Sequence, residues 1–289
     1  MIANINDEDR SRFEREGCVL LRGLVDREQA GRLAAAADRE LRPYPPGYHI
    51  VPSIHEWNPV FHHFVWRSGI ARAASQLAGV DKLRLYGADL FSKDPGEQEP
   101  IRWHNDISYY PFSDATLVSI WVALRHVTRD MSALCLIPAS HKWKRMFKPH
   151  IPSSAASVKA IVESADFEVP PDFADLDARY PGAINIRAWD MEPGDAIAFT
   201  GWTLHYTGAN LSKQDRRLGY SMRFLGDDAI YDPRPNTLTP AEYRAILTPG
   251  QPISGGWPVI WREGGEVTVP ELMAAKPANK YEALARGKK

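Results

Sequence analysis

Seven apolar runs between residues 82 and 225 are each short, and Pro, Gly or Asp punctuates the gaps between them. They lie at 82–93, 101–110, 115–124, 132–138, 184–189, 196–199 and 217–225. Runs of this length that are rich in β-branched and aromatic side chains, with turn residues such as Pro193-Gly194-Asp195 between them, read as β-strands. An eighth, at 18–22, precedes them. A chain of seven or eight short strands has few ways to bury them all. The expected fold is α+β with a β-rich core: a double-stranded β-helix, or cupin-like jelly roll, with N-terminal and flanking helices.

The helices announce themselves by their caps. Asn6 can open a helix over 6–16, with Asp7, Glu8 and Asp9 at its positive end and Gly17 closing it. Asp26, with Gln29 three residues on, caps a second helix that runs through the Ala-rich 33–41, and 67–79 reads as a third. Between 42 and 66 the regular patterns stop. Pro43, Pro45, Pro46, Gly47 and Pro52 suggest a turning path that carries Trp57, Phe61 and other aromatics. This is either a loop packed on the core or one that covers a substrate. His62 and His63 would face apart in an extended segment and are not counted as a metal pair.

Residues 146–181 read as a polar insertion, in which 158–162 and 167–169 are short strands or loop. Pro240 opens a short helix in a C-terminal extension that carries Trp257, Trp261 and a Lys-rich end. With no internal repeat and no linker, the expectation is one domain over 1–289. Its helical part takes about 6–80, its jelly-roll core about 82–232, and the extension 233–289 serves as a lid or an oligomer contact, leaving room for a homodimer.

Composition excludes some classes of function. Thirty-five basic against 36 acidic side chains leave no surplus for nucleic acid or an anionic membrane. Two Cys in 289 residues are no disulfide framework, and no stretch approaches the roughly 18 apolar residues of a membrane span. A cytoplasmic setting and a small-molecule substrate are expected. Nine Trp are available to wall a pocket.

The chemistry centres on Trp103-His104-Asn105-Asp106. On a strand, His104 and Asp106 would share a face while Asn105 points away. His205, at the end of a later apolar run, is the candidate third ligand. Two His and one carboxylate with open positions opposite form the facial triad of non-heme Fe(II) oxygenases. From spacing alone, a surface ion pair beside an unrelated core histidine fits as well.

The flanking residues separate the two readings. Trp103-His104-Asn105-Asp106, Tyr109-Tyr110-Pro111-Phe112, Trp121 and the Pro138-Ala139-Ser140-His141 turn resemble the phytanoyl-CoA dioxygenase family of Fe(II)/2-oxoglutarate oxygenases. Gly194-Asp195, His205, Gly208, Asn210 and Arg217 with Arg223 resemble its distal half, and Phe13 with Gly17 its start. The sequence departs from the family at Asn105, where Gln is usual, and at Ser132 and Ala139, where Gly is usual.

The resemblance implies Fe(II) on His104, Asp106 and His205, with 2-oxoglutarate and O2 as co-substrates and succinate and CO2 as products. It implies a co-substrate-binding Lys93, a pocket Trp121 and a carboxylate-binding arginine. Counting from His205 makes that arginine Arg216; counting back from Arg223 and Phe224 makes it Arg217. Only one of two neighbours on a strand can face inward, and Arg217 is chosen. Lys93 as a solvated edge lysine and Trp121 as core packing remain the plain alternatives. His141 reads as a structural turn residue. Tyr109, Tyr110, Trp57 and Phe61 are the candidate substrate contacts.

The implied reaction is hydroxylation of an unactivated C–H of a small organic metabolite. Desaturation, epoxidation or ring formation at the same centre is the alternative. Halogenation is disfavoured by the carboxylate of Asp106. A non-oxidative cupin isomerase or binding protein is disfavoured by the two cations Lys93 and Arg217. No basic groove for the phosphates of an acyl-CoA is visible.

Overall fold

The computed structural model describes residues 2–113, 116–253 and 255–277. Helix α1 (Asp7–Glu16) begins at Asn6, whose side chain accepts from the Asp9 N–H while the Asp9 carboxylate accepts from the Asn6 N–H. It ends at Gly17 with φ 71°, where a Cβ would lie 2.3 Å from Nδ1 of His141. The left-handed turn and the close approach both require glycine. Strand β1 (Cys18–Leu21) follows, then α2 (Arg27–Leu41), capped by Asp26, which accepts from the Gln29 N–H.

The stretch 42–66 is more regular than its prolines suggest. It holds β2 (Tyr48–Val51), one 3-10 turn and α3 (Pro59–Arg67). Asn58 caps α3 and Pro59 fills its first turn, a helix start in its own right. His62 and His63 are therefore neighbours on a helix. Helix α4 (Ile70–Ala78) sits between left-handed Gly69 and Gly79.

The remaining strands are β3 (Lys82–Lys93), β4 (Ile101–His104), β5 (Leu117–Ala123), β6 (Leu134–Leu136), β7 (Ala196–Thr200), β8 (His205–Thr207) and β9 (Arg217–Gly226). The large sheet runs β1-β7-β5-β9-β3, with β2 also paired to β3, and a small sheet runs β4-β8-β6. All these pairings are antiparallel.

Strand alternation gives the large sheet two unlike faces. On β9, Leu218, Tyr220, Met222 and Phe224 enter the main core with apolar residues of α2, α3 and α4. Arg217, Ser221 and Arg223 line the opposite face. A cavity of about 670 Å³ lies between that face and the small sheet.

Three expectations are corrected outside the sheets. In the insertion 158–162 is helical, within α5 (Ala156–Val162), and α6 (Phe173–Arg179) follows, while 167–169 is loop with one bridge from Glu168 to Phe147. Residues 184–189 make a single bridge, Arg187 to Leu136, because Ile184, Ile186 and Ala188 pack on the Trp103 and Phe173 cluster. The C-terminal extension does more than cover the site. After α7 (Ala241–Arg244) it contributes β10 (Val259–Arg262), which pairs with β3 at the edge of the large sheet. The Lys-rich end lies outside the described residues.

Candidate metal centre and its cavity

His104 is the last residue of β4, and its antiparallel partner on β8 is His205. Asp106 is not on that strand. It opens a 3-10 turn (Asp106–Ser108), so the turn, rather than strand alternation, brings its carboxylate round to the two rings. One ligand atom from each of His104, Asp106 and His205 lies within 4.8 Å of the others, and all three residues are buried. Nε2 of His104 and of His205 stand 3.9 and 3.6 Å from Oδ1 of Asp106.

The surroundings fix which atoms are free. Nδ1 of His104 is 2.7 Å from the Arg102 carbonyl, and Nδ1 of His205 is 2.9 Å from that of Thr203. A carbonyl can only accept, so each Nδ1 carries the proton and each Nε2 offers a lone pair. Burial, and then the His205 ring beside it, push His104 down to about 3, which keeps it neutral. Burial alone would raise the Asp106 carboxyl. His205, Arg223, His104 and a hydrogen bond from Tyr109 outweigh that, and its pKa lies below the usual range. Tyr109 Oη donates to Oδ1 of Asp106, and Ser119 Oγ donates to Oδ2 over 3.3 Å. Two imidazoles that each present Nε2 and an oriented carboxylate make a donor set suited to Fe(II). Asn105 points away and donates to the Arg145 carbonyl at 2.7 Å, so replacement of the family's Gln leaves the three donors undisturbed.

Arg217 and Arg216 face opposite sides of the sheet. Arg216 turns outward to Asp94 (2.5 Å) and Asp38 (3.5 Å). Arg217 is 3% exposed and lines the cavity, its guanidinium 4.5 Å from the centre of the Trp121 ring. Among the described residues no carboxylate pairs with it, and its Nε is buried without a partner. Burial pulls its pKa down to about 10, which still leaves it charged at neutral pH. A buried, unpaired cation is costly on its own and implies an anion from outside the chain. Trp121 lies across Gly219, where a Cβ would come 1.9 Å from Cζ2 of the indole.

Lys93 sits differently from Arg217 and Trp121. It is fully buried but is not among the cavity's lining residues. Nζ donates to the carbonyls of Glu99 (2.7 Å) and Gly208 (2.6 Å) and approaches Oγ1 of Thr207 (3.4 Å). These contacts tie the ends of β3, β4 and β8 together.

Tyr109 and Tyr110 line the cavity, but Trp57 and Phe61 do not. Phe61 points from α3 into the core and meets Tyr220 edge-on at 4.7 Å. Phe61→Ala is expected to cost roughly 3–5 kcal/mol of stability, the price of a large buried ring, visible as a lower denaturant midpoint. Trp57 packs on the outside of the core under the Lys276 ammonium, 5.5 Å from its ring centre. The residues that sequence reasoning missed are Tyr86, Trp257 and Tyr243. With Tyr109 and Tyr110 they form one chain of ring contacts along the cavity, at 4.5–5.3 Å between successive centroids. Tyr86 stands at a register shift in β3, which turns it to the cavity side.

Comparison with known proteins agrees with this geometry. The profile of the phytanoyl-CoA dioxygenase (PhyH) family matches residues 13–218, most of the chain. The chain belongs to the phytanoyl-CoA dioxygenase family. A probable phytanoyl-CoA dioxygenase of Caenorhabditis elegans is 26% identical over 180 residues, 59% of this chain and 52% of that protein. The chain thus spans about half the length of that relative.

Two solved structures share the family fold. The α-ketoglutarate-dependent carbocyclase SnoK from nogalamycin biosynthesis has a TM-score of 0.66 at 20% identity, covering 89% of this chain and 96% of that one. The epimerase SnoN, in complex with Fe3+, α-ketoglutarate and nogalamycin RO, has a TM-score of 0.64 at 22% identity, covering 88% and 98%. Their folds establish the cupin-like architecture expected from the strand pattern. No helix among the described residues is long and apolar enough to cross a membrane.

Proposed function

We propose that this protein is an Fe(II)- and 2-oxoglutarate-dependent oxygenase of a small organic molecule, with hydroxylation of an unactivated C–H as its reaction. The observation that carries the reading is the pairing of two features in one cavity: three mutually facing donors, and an arginine with no counter-ion. His104, Asp106 and His205 are the metal ligands in this reading, and Arg217 binds the distal carboxylate of 2-oxoglutarate through its planar fork. Bound iron with 2-oxoglutarate and O2 supplies the oxidising power, leaving succinate and CO2.

The chain's own residues do the rest. The carbonyls of Arg102 and Thr203 hold the imidazoles in the ligating tautomer. Tyr109 and Ser119 orient the carboxylate. Trp121 covers one face of Arg217 and keeps water from it. The tyrosine–tryptophan wall excludes water beside the metal and receives an apolar substrate. Ring formation or epimerisation at the same centre is the second reading, supported by the carbocyclase and epimerase neighbours.

The test is succinate formation from 2-oxoglutarate by the Fe(II)-loaded protein in air, followed by screening of a metabolite library. Products heavier by one oxygen are expected. An absence of succinate with any library member would refute the oxygenase reading, and products of unchanged mass or lighter by two hydrogens would favour the second.

A further inference from the structure

The cavity contains a second buried arginine that the proposed chemistry does not use. Arg223 is 9% exposed and lines the cavity. Its Nη1 donates to Oδ2 of Asp89 at 2.7 Å, and Oδ1 of Asp89 is held in turn by the Ser53 N–H at 2.8 Å. Neither Nε nor Nη2 of Arg223 has a hydrogen-bond partner among the described residues. Arg217 and Arg223 are six residues apart on one face of β9, a span of about 20 Å at the rise of a strand, so they serve opposite ends of the cavity.

Arg223 stands on the metal side of that span. Its register partner on β5 is Ser119, whose hydroxyl reaches Asp106. A group held by Arg223 is thus one strand from the side chain that orients a metal ligand. The ring chain from Tyr109 through Tyr110 and Tyr86 to Trp257 walls the same space.

We infer that Arg223, backed by Asp89, is the substrate-anchoring residue. It takes a neutral oxygen acceptor, such as a ketone, on a flat and largely apolar molecule that lies against the aromatic wall. This rests on the oxygenase reading, which commits Arg217 to the co-substrate. Neutrality follows from the charges. Asp89 pairs with Arg223 through Nη1, so the remaining donors sit beside a carboxylate that already balances the charge. Among the described residues, the other charged side chains that line the cavity away from the metal and Arg217 are Glu56, Glu242 and Glu271, and none is a lysine. Such a mouth repels a carboxylate or the phosphates of an acyl-CoA. Donors left unpaired in a buried site discriminate strongly against a molecule that lacks the matching acceptor.

The test uses three probes on one ring skeleton: 1-tetralone, tetralin and 1,2,3,4-tetrahydro-1-naphthoate. Each is titrated into the Fe(II)- and 2-oxoglutarate-loaded protein without oxygen and followed by ligand-observed NMR. The ketone is expected to bind roughly ten-fold tighter than the hydrocarbon, the worth of one charge-assisted hydrogen bond, and the carboxylate no tighter than the hydrocarbon. In Arg223→Lys the ammonium stays on Asp89 but the planar fork that aims the spare N–H groups into the cavity is gone, so the ketone's advantage should be lost. The double variant Arg223→Met with Asp89→Asn, which leaves no buried charge unpaired, should lose it too.

Equal binding of ketone and hydrocarbon by the wild type, tightest binding of the carboxylate, or no binding of any probe overturns the assignment. So does an advantage that survives in both variants. The visible band of the wild-type Fe(II)–2-oxoglutarate complex, recorded on the same sample, separates the two levels. Its absence refutes the oxygenase reading, whereas its presence without discrimination among the probes refutes only the role of Arg223.

Discussion

His205→Ala is expected to abolish Fe(II) binding, and turnover of 2-oxoglutarate with it, while the chain stays folded. The expected loss is larger than the roughly 10- to 100-fold cost of removing a partner that merely orients a ligand, because a donor itself is gone. The ring rests against Phe199 and His104 at 4.8 and 4.2 Å between centroids, so its removal also leaves a small void. That void lies at the cavity wall, which water can fill, and the stability cost is modest. Anaerobic titration with Fe(II) and 2-oxoglutarate, read from the visible charge-transfer band, checks the result. An undiminished band in His205→Ala would remove this histidine from the ligand set. His141→Ala is the control: His141 packs against Gly17 at the end of α1, belongs neither to the three facing donors nor to the cavity lining, and the band should persist.

Local signals carried much of the fold into the sequence. The caps at Asn6 and Asp26 and the left-handed Gly17 are decided within a turn of chain, and the structure has them. Every apolar run except 184–189 became a strand of one of two antiparallel sheets, since their composition leaves little else for them to do. What failed was either overshadowed or long-range. The prolines at 43–52 drew attention from Asn58-Pro59, an equally local helix signal. Residues 184–189 have a strand's composition, yet burial against Trp103 and Phe173 offered their side chains more than a second edge would. Strand β10 was invisible because only a partner more than 160 residues earlier in the chain, β3, makes a four-residue run a strand.

The candidate site divides in the same way. Proximity along the chain brought His104, Asp106 and Tyr109 into view together, although the 3-10 turn at Asp106 replaced the strand assumed for it. Lys93 shows the limit of position as a guide. Its place at the end of β3 matches a binding lysine, but three oxygen acceptors drawn from elsewhere in the chain close on its ammonium. Burial pushes its pKa down to about 7, and the Arg217 charge adds to the shift. Tyr86 and Trp257 lie far apart in the chain, and no spacing rule links them.

Arg217→Ala should raise the apparent KM for 2-oxoglutarate on the order of a hundred-fold or more, since a buried, bidentate, charge-assisted pair is lost. Two features of the wild type make the effect large. The guanidinium is held between burial and the Trp121 face, so little ordering remains to be done when a carboxylate arrives. No residue on the described chain competes for it, so the whole interaction goes to the ligand. The variant itself should fold well, because deleting an uncompensated buried charge relieves a desolvation cost in the free protein. Arg216→Ala should do the opposite. It breaks the ties to Asp94 and Asp38 at the surface and leaves Asp94 with the Gly47 N–H, so any loss falls on stability while KM stays within a few-fold of wild type. Initial rates of succinate formation across a range of 2-oxoglutarate concentrations distinguish the two. A large KM effect in Arg216→Ala with a small one in Arg217→Ala would mean that the inward cation does not serve the co-substrate, and the unpaired guanidinium beneath Trp121 would have to answer to another anion.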